Sequence, residues 1–191
     1  MNRGRPRDGR VDEAISDAVR DILDDVGYQQ LSIDRVAARA GVGKAGIYRR
    51  WRSKAEMVFV AVVHGTEIAA PPDLGGLRAD LTALVEHIVV LLSAPHARQA
   101  LPGLIADIAA DPGLATRFAA TFIDRQQDVL ARILERAAAR GEIRSGSDPV
   151  LVHAQLLGTV FVHLFMLGGA PPSDLPRRLA DAVAAGLDTP E

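Results

Sequence analysis

The sequence predicts an all-α protein of about nine helices, with a three-helix unit near the N-terminus and a helical body after it. Apolar residues recur at spacings of three and four over most of the 191 residues, and no stretch alternates with the period of a β-strand. Alanine, leucine and arginine are abundant while aromatic residues make up only 4%, a composition that favours helix. Gly and Pro residues separate the helical stretches.

Composition and charge narrow the class of protein. The chain is 48% hydrophobic and can bury a core in one domain or one and a half. It has no cysteine, which excludes disulfides and favours a cytoplasmic setting, and its basic N-terminus lacks the apolar stretch of a signal peptide. Residues 1–58 hold 12 Lys and Arg against 9 Asp and Glu, whereas residues 59–191 hold 10 against 15. The net charge of −2 therefore combines a basic part with an acidic body, which fits a nucleic-acid binder.

One stretch in the first third of the chain predicts two short helices joined by a tight turn, followed at once by a third helix. Ser32 is a suitable N-cap for the first helix. Gly41 lies where the chain leaving that helix needs a left-handed backbone. Gly43 is a permitted cap for the second helix, and Ser53 with Glu56 forms a capping box for the third. The apolar positions at helical spacing are Ile33, Val36, Ala37 and Ala40 in the first helix and Ile47 and Trp51 in the second. This pattern predicts a helix-turn-helix.

The second helix of this stretch carries a charge pattern suited to a DNA major groove. From Lys44 to Lys54 there are five basic residues and no acidic one. Ala45 and Gly46 are small, so the backbone could approach base edges while the basic side chains bind phosphates. The alternative, a solvated basic face on an ordinary helical hairpin, is disfavoured because cap, turn and charge all agree. We therefore expect a helix from Lys44 to Trp51 that enters a major groove.

The segment A-G-V-G-K-A-G-I-Y-R-R-W at residues 40–51, with S-K two residues on, resembles the recognition helix of the tetracycline-repressor (TetR) family. The resemblance implies a homodimeric regulator, most often a repressor, that binds a pseudo-palindromic DNA operator and is released by a small-molecule effector. By that resemblance Tyr48 and Lys54 bind phosphates, while Lys44, Ala45 and Gly46 face bases. Gly43 stands where the family often has Ser, and Gly46 where it often has Thr or Ser. We therefore assign more of the readout to the arginines that follow. The predicted DNA-binding residues are Arg3, Arg5, Arg7, Ser32, Gly43, Lys44, Ala45, Gly46, Tyr48, Arg49, Arg50 and Lys54.

The same stretch contains a literal G-x-G-x-x-G, from Gly41 to Gly46, which is the fingerprint of dinucleotide-binding proteins. That fingerprint requires a preceding β-strand and a surrounding βαβ unit. An amphipathic helix precedes it here and no strand pattern follows. The motif leaves a small helical nucleotide-binding enzyme or ligand carrier as the alternative function, and this helical context disfavours it.

The N-terminal residues and the first helix complete the predicted DNA-binding part. Residues 1–9 carry Arg3, Arg5 and Arg7 with nothing apolar to pack, so we expect a flexible basic arm that enters an A·T-rich minor groove. The alternative is a solubilising tail. The first helix has an apolar face made of Val11, Ile15, Val19, Ile22, Leu23 and Val26, and Gly27 is expected to end it. The predicted helix-turn-helix DNA-binding domain spans residues 10–58.

Residues 59–191 are expected to form a helical effector-binding and dimerisation domain. A fourth helix should begin at the capping box and end near Ala70, before Pro71-Pro72, and should connect the two domains. Asp111-Pro112 and Asp148-Pro149 each combine an N-cap with a proline in the first helical position. The later helices are expected at Leu77–Leu92, at Ala97–Ala110 with a kink or break near Pro102, at Pro112–Arg140, at Pro149–Leu167 and from about Leu175 to Leu187.

Function in this body is predicted from polar or aromatic residues at helical spacing. The predicted effector pocket consists of His87, Phe118, Phe122, Gln126, Gln155, Thr159 and His163, although any one of these could be a satisfied core residue. The nearly apolar stretch 150–169 could span a bilayer, but its polar residues favour a buried helix. By resemblance to the family it forms a dimer interface with the last helix, and the predicted interface residues are Gly158, Phe161, Phe165, Leu179 and Val183. No cofactor, metal site or catalytic motif is predicted.

Overall fold

The computed structural model describes residues 9–64 and 73–187, and this part of the chain is helical with no strand. The first six helices are α1 (Gly9–Gln30), α2 (Ile33–Ala40), α3 (Lys44–Tyr48), α4 (Lys54–Phe59), α5 (Leu77–Ser93) and α6 (Pro95–Ala110). The last three are α7, α8 (Pro149–Phe165) and α9 (Leu175–Leu187). Helix α4 continues as a π-helical segment, Val60–His64. Helix α7 consists of Pro112–Phe118, a π-helical segment Ala119–Ile123, and Asp124–Ala139. The predicted all-α fold of about nine helices is confirmed.

The helices form two compact units. The first unit comprises residues 1–67 and 94–115, and the second comprises residues 68–93 and 116–191. Helix α6 therefore belongs by packing with the N-terminal helices, although it follows α5 in the chain. The predicted boundary between the DNA-binding domain and the effector-binding domain, at residues 58 and 59, concerns function and stays a prediction.

The first unit is built on the apolar face of α1. Ile15, Val19, Ile22 and Leu23 are buried as the spacing predicts. Val26, predicted on the same face, is 37% exposed, because Gly27 directly after it leaves the helical region with φ 76°. A short helical turn then carries the chain on to Gln30.

Helix α6 packs against α1 and α4 within the first unit. The break predicted near Pro102 is wrong, because the helix continues from Pro95 to Ala110, while the alternative of a kink there stays a prediction. A proline removes one backbone hydrogen bond, and the packing of α6 on α1 holds the remaining turns in place.

In the second unit α5 packs against α8 and α9. A buried ionic network joins the start of α5 to the end of α7. Asp80 is fully buried and accepts from the backbone N–H of Leu74 at 2.9 Å and from Arg136 at 3.3 Å. Glu142 accepts from the backbone N–H of Leu77 at 2.6 Å, so its carboxylate satisfies one of the free donors at the start of α5.

The helix boundaries follow the predicted caps closely. The Asp111 carboxylate accepts from Gly113 and Leu114, and the Asp148 carboxylate accepts from Val150, which confirms both N-caps. Helix α8 ends at Phe165, two residues before the predicted end at Leu167. The predicted end of the fourth helix near Ala70 lies outside the described residues.

Candidate nucleic-acid interface

The turn between α2 and α3 is built by the residues that the sequence predicts for it. The hydroxyl of Ser32 accepts from the backbone N–H of Arg35 at 3.3 Å, which confirms the N-cap of α2. Gly41 adopts the left-handed region at φ 65°, and its N–H bonds back onto the last turn of α2. Gly43 caps α3 by its extended backbone alone, without a side-chain hydrogen bond. The G-x-G-x-x-G stretch thus follows a helix and no strand, which removes the structural basis for a dinucleotide site.

Helix α3 is shorter than predicted. It ends at Tyr48 instead of Trp51, and Arg49 and Arg50 form a turn. A glycine in the middle of a five-residue helix and a cap without a side chain both weaken it. The predicted packing is nevertheless confirmed, since Ile47 is completely buried and Trp51 is 7% exposed. These two residues fix the orientation of the segment in spite of its length.

The residues on the other side of α3 are open to solvent. Lys44, Ala45 and Arg49 are exposed, and Tyr48 is 56% exposed. Gly46 is half-buried, and a Cβ added to it would lie 3.7 Å from the guanidinium of Arg49. The surface therefore offers two cations and a phenol around small residues, as the sequence predicts.

Lys44 has a partner that the sequence reading did not identify. Its ammonium lies 2.7 Å from the carboxylate of Asp34 in α2. The hydrogen bond to Asp34 raises the pKa of Lys44, which keeps the lysine charged. Because both side chains are more than half exposed, the pair is weak and the ammonium can also bind an acceptor on DNA.

Arg50 is not among the exposed basic residues of this surface. Its guanidinium forms an ion pair with Asp12 of α1 and donates to the carbonyl of Gly46 at 3.0 Å, and the side chain is only 18% exposed. A carboxylate on a neighbouring helix thus binds the guanidinium, and Arg50 ties α3 to α1. Its predicted contribution to DNA readout stays a prediction.

Lys54, predicted to bind a phosphate, lies at the start of α4 and contacts Tyr28. Its ammonium donates to the backbone carbonyl of Tyr28 at 2.8 Å and lies 4.0 Å from the centre of the tyrosine ring. Burial lowers the pKa of Lys54, while the carboxylate of Asp107 acts in the opposite direction.

The capping box predicted at the start of α4 is confirmed in part. Ser53 accepts from the backbone N–H of Glu56 at 3.1 Å, but Glu56 accepts from Arg52 and not from Ser53.

Three acidic residues of α1 form ion pairs with Arg39 and Arg50. Asp12 pairs with Arg50, while Asp21 and Asp25 both pair with Arg39 of α2. These pairs neutralise part of the negative charge that the sequence places beside the DNA-reading segment. The predicted arm residues Arg3, Arg5 and Arg7 lie outside the described residues.

The predicted effector-pocket residues are spread over α5, α7 and α8, and their grouping into one pocket stays a prediction. The ring centres of Phe118, directly before the π-helical segment, and Phe122, within it, lie 5.5 Å apart, and Gln126 follows half-buried. The Nε2 atom of His87 is buried and has no hydrogen-bond partner among the described residues. The hydroxyl of Thr159 donates to the backbone carbonyl of Gln155 in the same helix. The residue Gln155 is exposed, and His163 is half-buried. A groove of about 520 Å³ lies elsewhere, where α7 turns into α8, and includes Leu134, Ile143 and Arg144.

Three of the predicted dimer residues, Gly158, Phe161 and Phe165, lie on α8, and the other two lie on α9. Gly158 is exposed with open space around it, and the rings of Phe161 and Phe165 stack at 4.6 Å. Leu179 is half-buried. Val183 is buried within the second unit, so it lies in the core and not on a surface that another copy could contact. The sequence reading missed the exposed apolar residues Val150, Leu151, Val162, Met166 and Leu167. Their spacing, added to that of Gly158, was the signal that could have found them.

Among the described residues, none of the helices combines the length and the hydrophobicity of a membrane span. No group of three or more His, Cys, Asp and Glu side chains in residues 9–64 and 73–187 is arranged to hold a metal ion.

A helix-turn-helix with an exposed cationic second helix, in an all-α chain, defines the class of DNA-binding transcriptional regulators. Comparison with family models agrees with this class. Residues 15–61 match the model described as bacterial regulatory proteins, tetR family, and residues 71–183 match the tetracyclin repressor-like C-terminal domain. The chain belongs to the TetR family of bacterial transcriptional regulators.

Individual relatives agree with the assignment. An uncharacterized HTH-type transcriptional regulator of Mycobacterium bovis is 33% identical over 163 residues, covering 85% of this chain and 80% of the relative. The DNA-binding transcriptional repressor TetR of Mycobacteroides abscessus is 32% identical over 171 residues, 86% of each chain. The crystal structure of the TetR family transcription regulator SCO0332 is 28% identical with a TM-score of 0.75, covering 94% of this chain and all of that one. These relatives are regulators and not enzymes.

Proposed function

We propose that this protein is a homodimeric transcriptional repressor that places α3 of each subunit in a major groove of a pseudo-palindromic operator. A small-molecule effector bound by the second unit releases it. The observation that carries the proposal is the two-sided character of α3, where buried Ile47 and Trp51 hold an exposed cationic surface in a fixed orientation. In helix-turn-helix dimers the two half-sites lie about one helical turn apart.

On this surface the roles follow from side-chain chemistry. Arg49 and Lys44 donate to base edges or phosphates, while Ala45 and Gly46 allow the backbone to approach the bases. The exposed hydroxyl of Tyr48 donates to a phosphate. In the flanking positions Ser32, Gly43 and Lys54 contact the DNA backbone, and Arg3, Arg5 and Arg7 enter the minor groove beside it.

Dimerisation is supported by the apolar stripe on α8. Leu151, Ala154, Gly158 and Val162 are all exposed at spacings of three and four, and Met166 continues the stripe. Soluble monomers rarely leave a contiguous apolar surface of this kind open to water. Gly158 would permit close approach where two helices cross, beside Phe161, Phe165 and Leu179.

An effector site in the second unit is supported by His87. A buried ring nitrogen without a partner is costly unless a ligand or water satisfies it. Phe118, directly before the π-helical segment, and Phe122, within it, provide aromatic surface, and π-helical turns occur frequently at functional sites. An effector releases the operator only if it binds the non-binding state of the dimer more tightly. The repressor role itself is supported by the Mycobacteroides abscessus relative, which is described as a repressor.

Binding to an operator selected from genomic fragments tests the proposal. Arg49→Ala is expected to weaken operator binding by about 1–3 kcal/mol, and Lys54→Ala to lower the dependence of log K on log salt by about one unit. Arg177→Ala is the matched control, because it removes an equally exposed arginine from α9. If Arg49→Ala and Lys54→Ala both bind like Arg177→Ala, the proposed surface does not contact DNA.

A further inference from the structure

Tyr28 lies where α1, α4 and α6 meet in the first unit. It is 4% exposed, and its hydroxyl donates to the carboxylate of Asp107 in α6. On the other side, its backbone carbonyl accepts from the ammonium of Lys54 at 2.8 Å. The same ammonium lies 4.0 Å from the centre of the tyrosine ring. Tyr28 therefore connects the carboxylate of Asp107 in α6 with Lys54, the first residue of α4.

Helix α6 is shaped to hold this tyrosine. Gly103 lies one turn before Asp107, and a Cβ added to Gly103 would lie 2.4 Å from Cδ1 of the Tyr28 ring. Only glycine leaves room for the ring at this position, although glycine in the middle of a helix is unfavourable. Two residues of α6 thus fix one tyrosine, one by leaving space and the other by accepting a hydrogen bond.

The Lys54 ammonium has donors left for DNA. An ammonium has three N–H groups, and the Tyr28 carbonyl accepts from one of them. The tyrosine ring restricts where the ammonium can lie.

We propose that Asp107 is a positioning residue for DNA binding, which acts through Tyr28 to hold the Lys54 ammonium where it binds a phosphate. The proposal rests on the proposed function insofar as Lys54 contacts DNA. It predicts that removing this carboxylate changes the DNA affinity in the direction opposite to the usual one. Removing a carboxylate from a DNA-binding protein normally strengthens binding, because it removes repulsion from the phosphates. Removing the carboxylate of Asp107 should instead weaken binding.

A double-mutant cycle on an arbitrary mixed-sequence duplex tests this, because phosphate contacts do not depend on sequence. Asp107→Ala is expected to weaken binding about two- to fivefold, the range for an exposed ionic contact, and to lower the salt dependence. Added to Lys54→Ala, it should have no further effect. Tyr28→Phe, which keeps the ring and the carbonyl, should behave like Asp107→Ala. Asp107→Asn should bind almost like the wild type, because its amide oxygen still accepts from the tyrosine.

The control is Asp24→Ala, which removes an exposed carboxylate from α1 and should leave binding unchanged or slightly stronger. Thermal unfolding establishes that each variant is folded at the temperature of the measurement. The proposal is overturned if Asp107→Ala and Tyr28→Phe bind like the wild type, or if their losses persist in the Lys54→Ala background. The failure of the wild type to bind duplex in a salt-dependent manner would instead contradict the proposed function.

Discussion

Helices α3 and α8 both present a surface without a partner in the described structure, but they do so with opposite chemistry. Helix α3 exposes cations and small residues above a buried pair, Ile47 and Trp51. Helix α8 exposes an apolar stripe that includes Leu151 and Val162. The first surface is suited to a polyanion and the second to another apolar surface. The surfaces proposed for DNA recognition and for self-association therefore lie on separate helices in separate units and can be tested separately.

The largest expected effect concerns the support beneath α3. Ile47→Ala should lower the free energy of unfolding by about 2–5 kcal/mol, because it leaves a cavity beneath the helix. Ile105→Ala is the control, since Ile105 of α6 in the same unit is 43% exposed and should cost much less. Urea denaturation measures both. Equal effects of the two substitutions would mean that α3 is not held by its buried face.

The second prediction concerns the stripe on α8. Leu151→Glu should weaken self-association by at least about 2 kcal/mol, because a charge would be buried between two apolar surfaces. DNA affinity for a single half-site should change little. Val90→Glu is the control, since Val90 is 72% exposed on α5. Sedimentation equilibrium over a range of protein concentrations measures the dimer, and an unchanged dimer in Leu151→Glu would exclude this stripe as the interface.

The third prediction compares two glycines inside helices. Gly103→Ala should destabilise the protein by about 1–3 kcal/mol, because the new methyl group would overlap the Tyr28 ring. Gly186→Ala in α9 has open space around the added Cβ and should be neutral or stabilise by up to about 1 kcal/mol. Thermal unfolding of both variants measures the two changes in stability. A stabilising Gly103→Ala would show that Tyr28 does not require the glycine.

The sequence predicted what local chemistry determines. Ser32, Gly41 and Asp148 have the caps and turn that their side chains and backbone freedom require. Prediction was not possible where a partner far along the chain decides, because the pairing of charges depends on the fold. The sequence did not reveal that Asp12 lies beside Arg50, or that α6 packs with the N-terminal helices.

The sequence also did not reveal which helix faces of the second unit are covered, for the same physical reason. A helical period identifies the face of a helix but not what covers that face. Val183 fits the period of α9 and is buried in its own unit, while Leu151 fits the period of α8 and is exposed. Only the packing of α8 and α9 distinguishes these two cases.

The most direct test of DNA recognition by α3 is methylation protection of guanine N7, an atom exposed in the major groove. The wild-type protein on its selected operator should protect guanines in two patches about one helical turn apart, and Arg49→Ala should lose protection before it loses non-specific binding. Binding with no protected guanine N7 on G·C-containing half-sites, or protection unchanged by Arg49→Ala and Lys44→Ala together, would contradict the account.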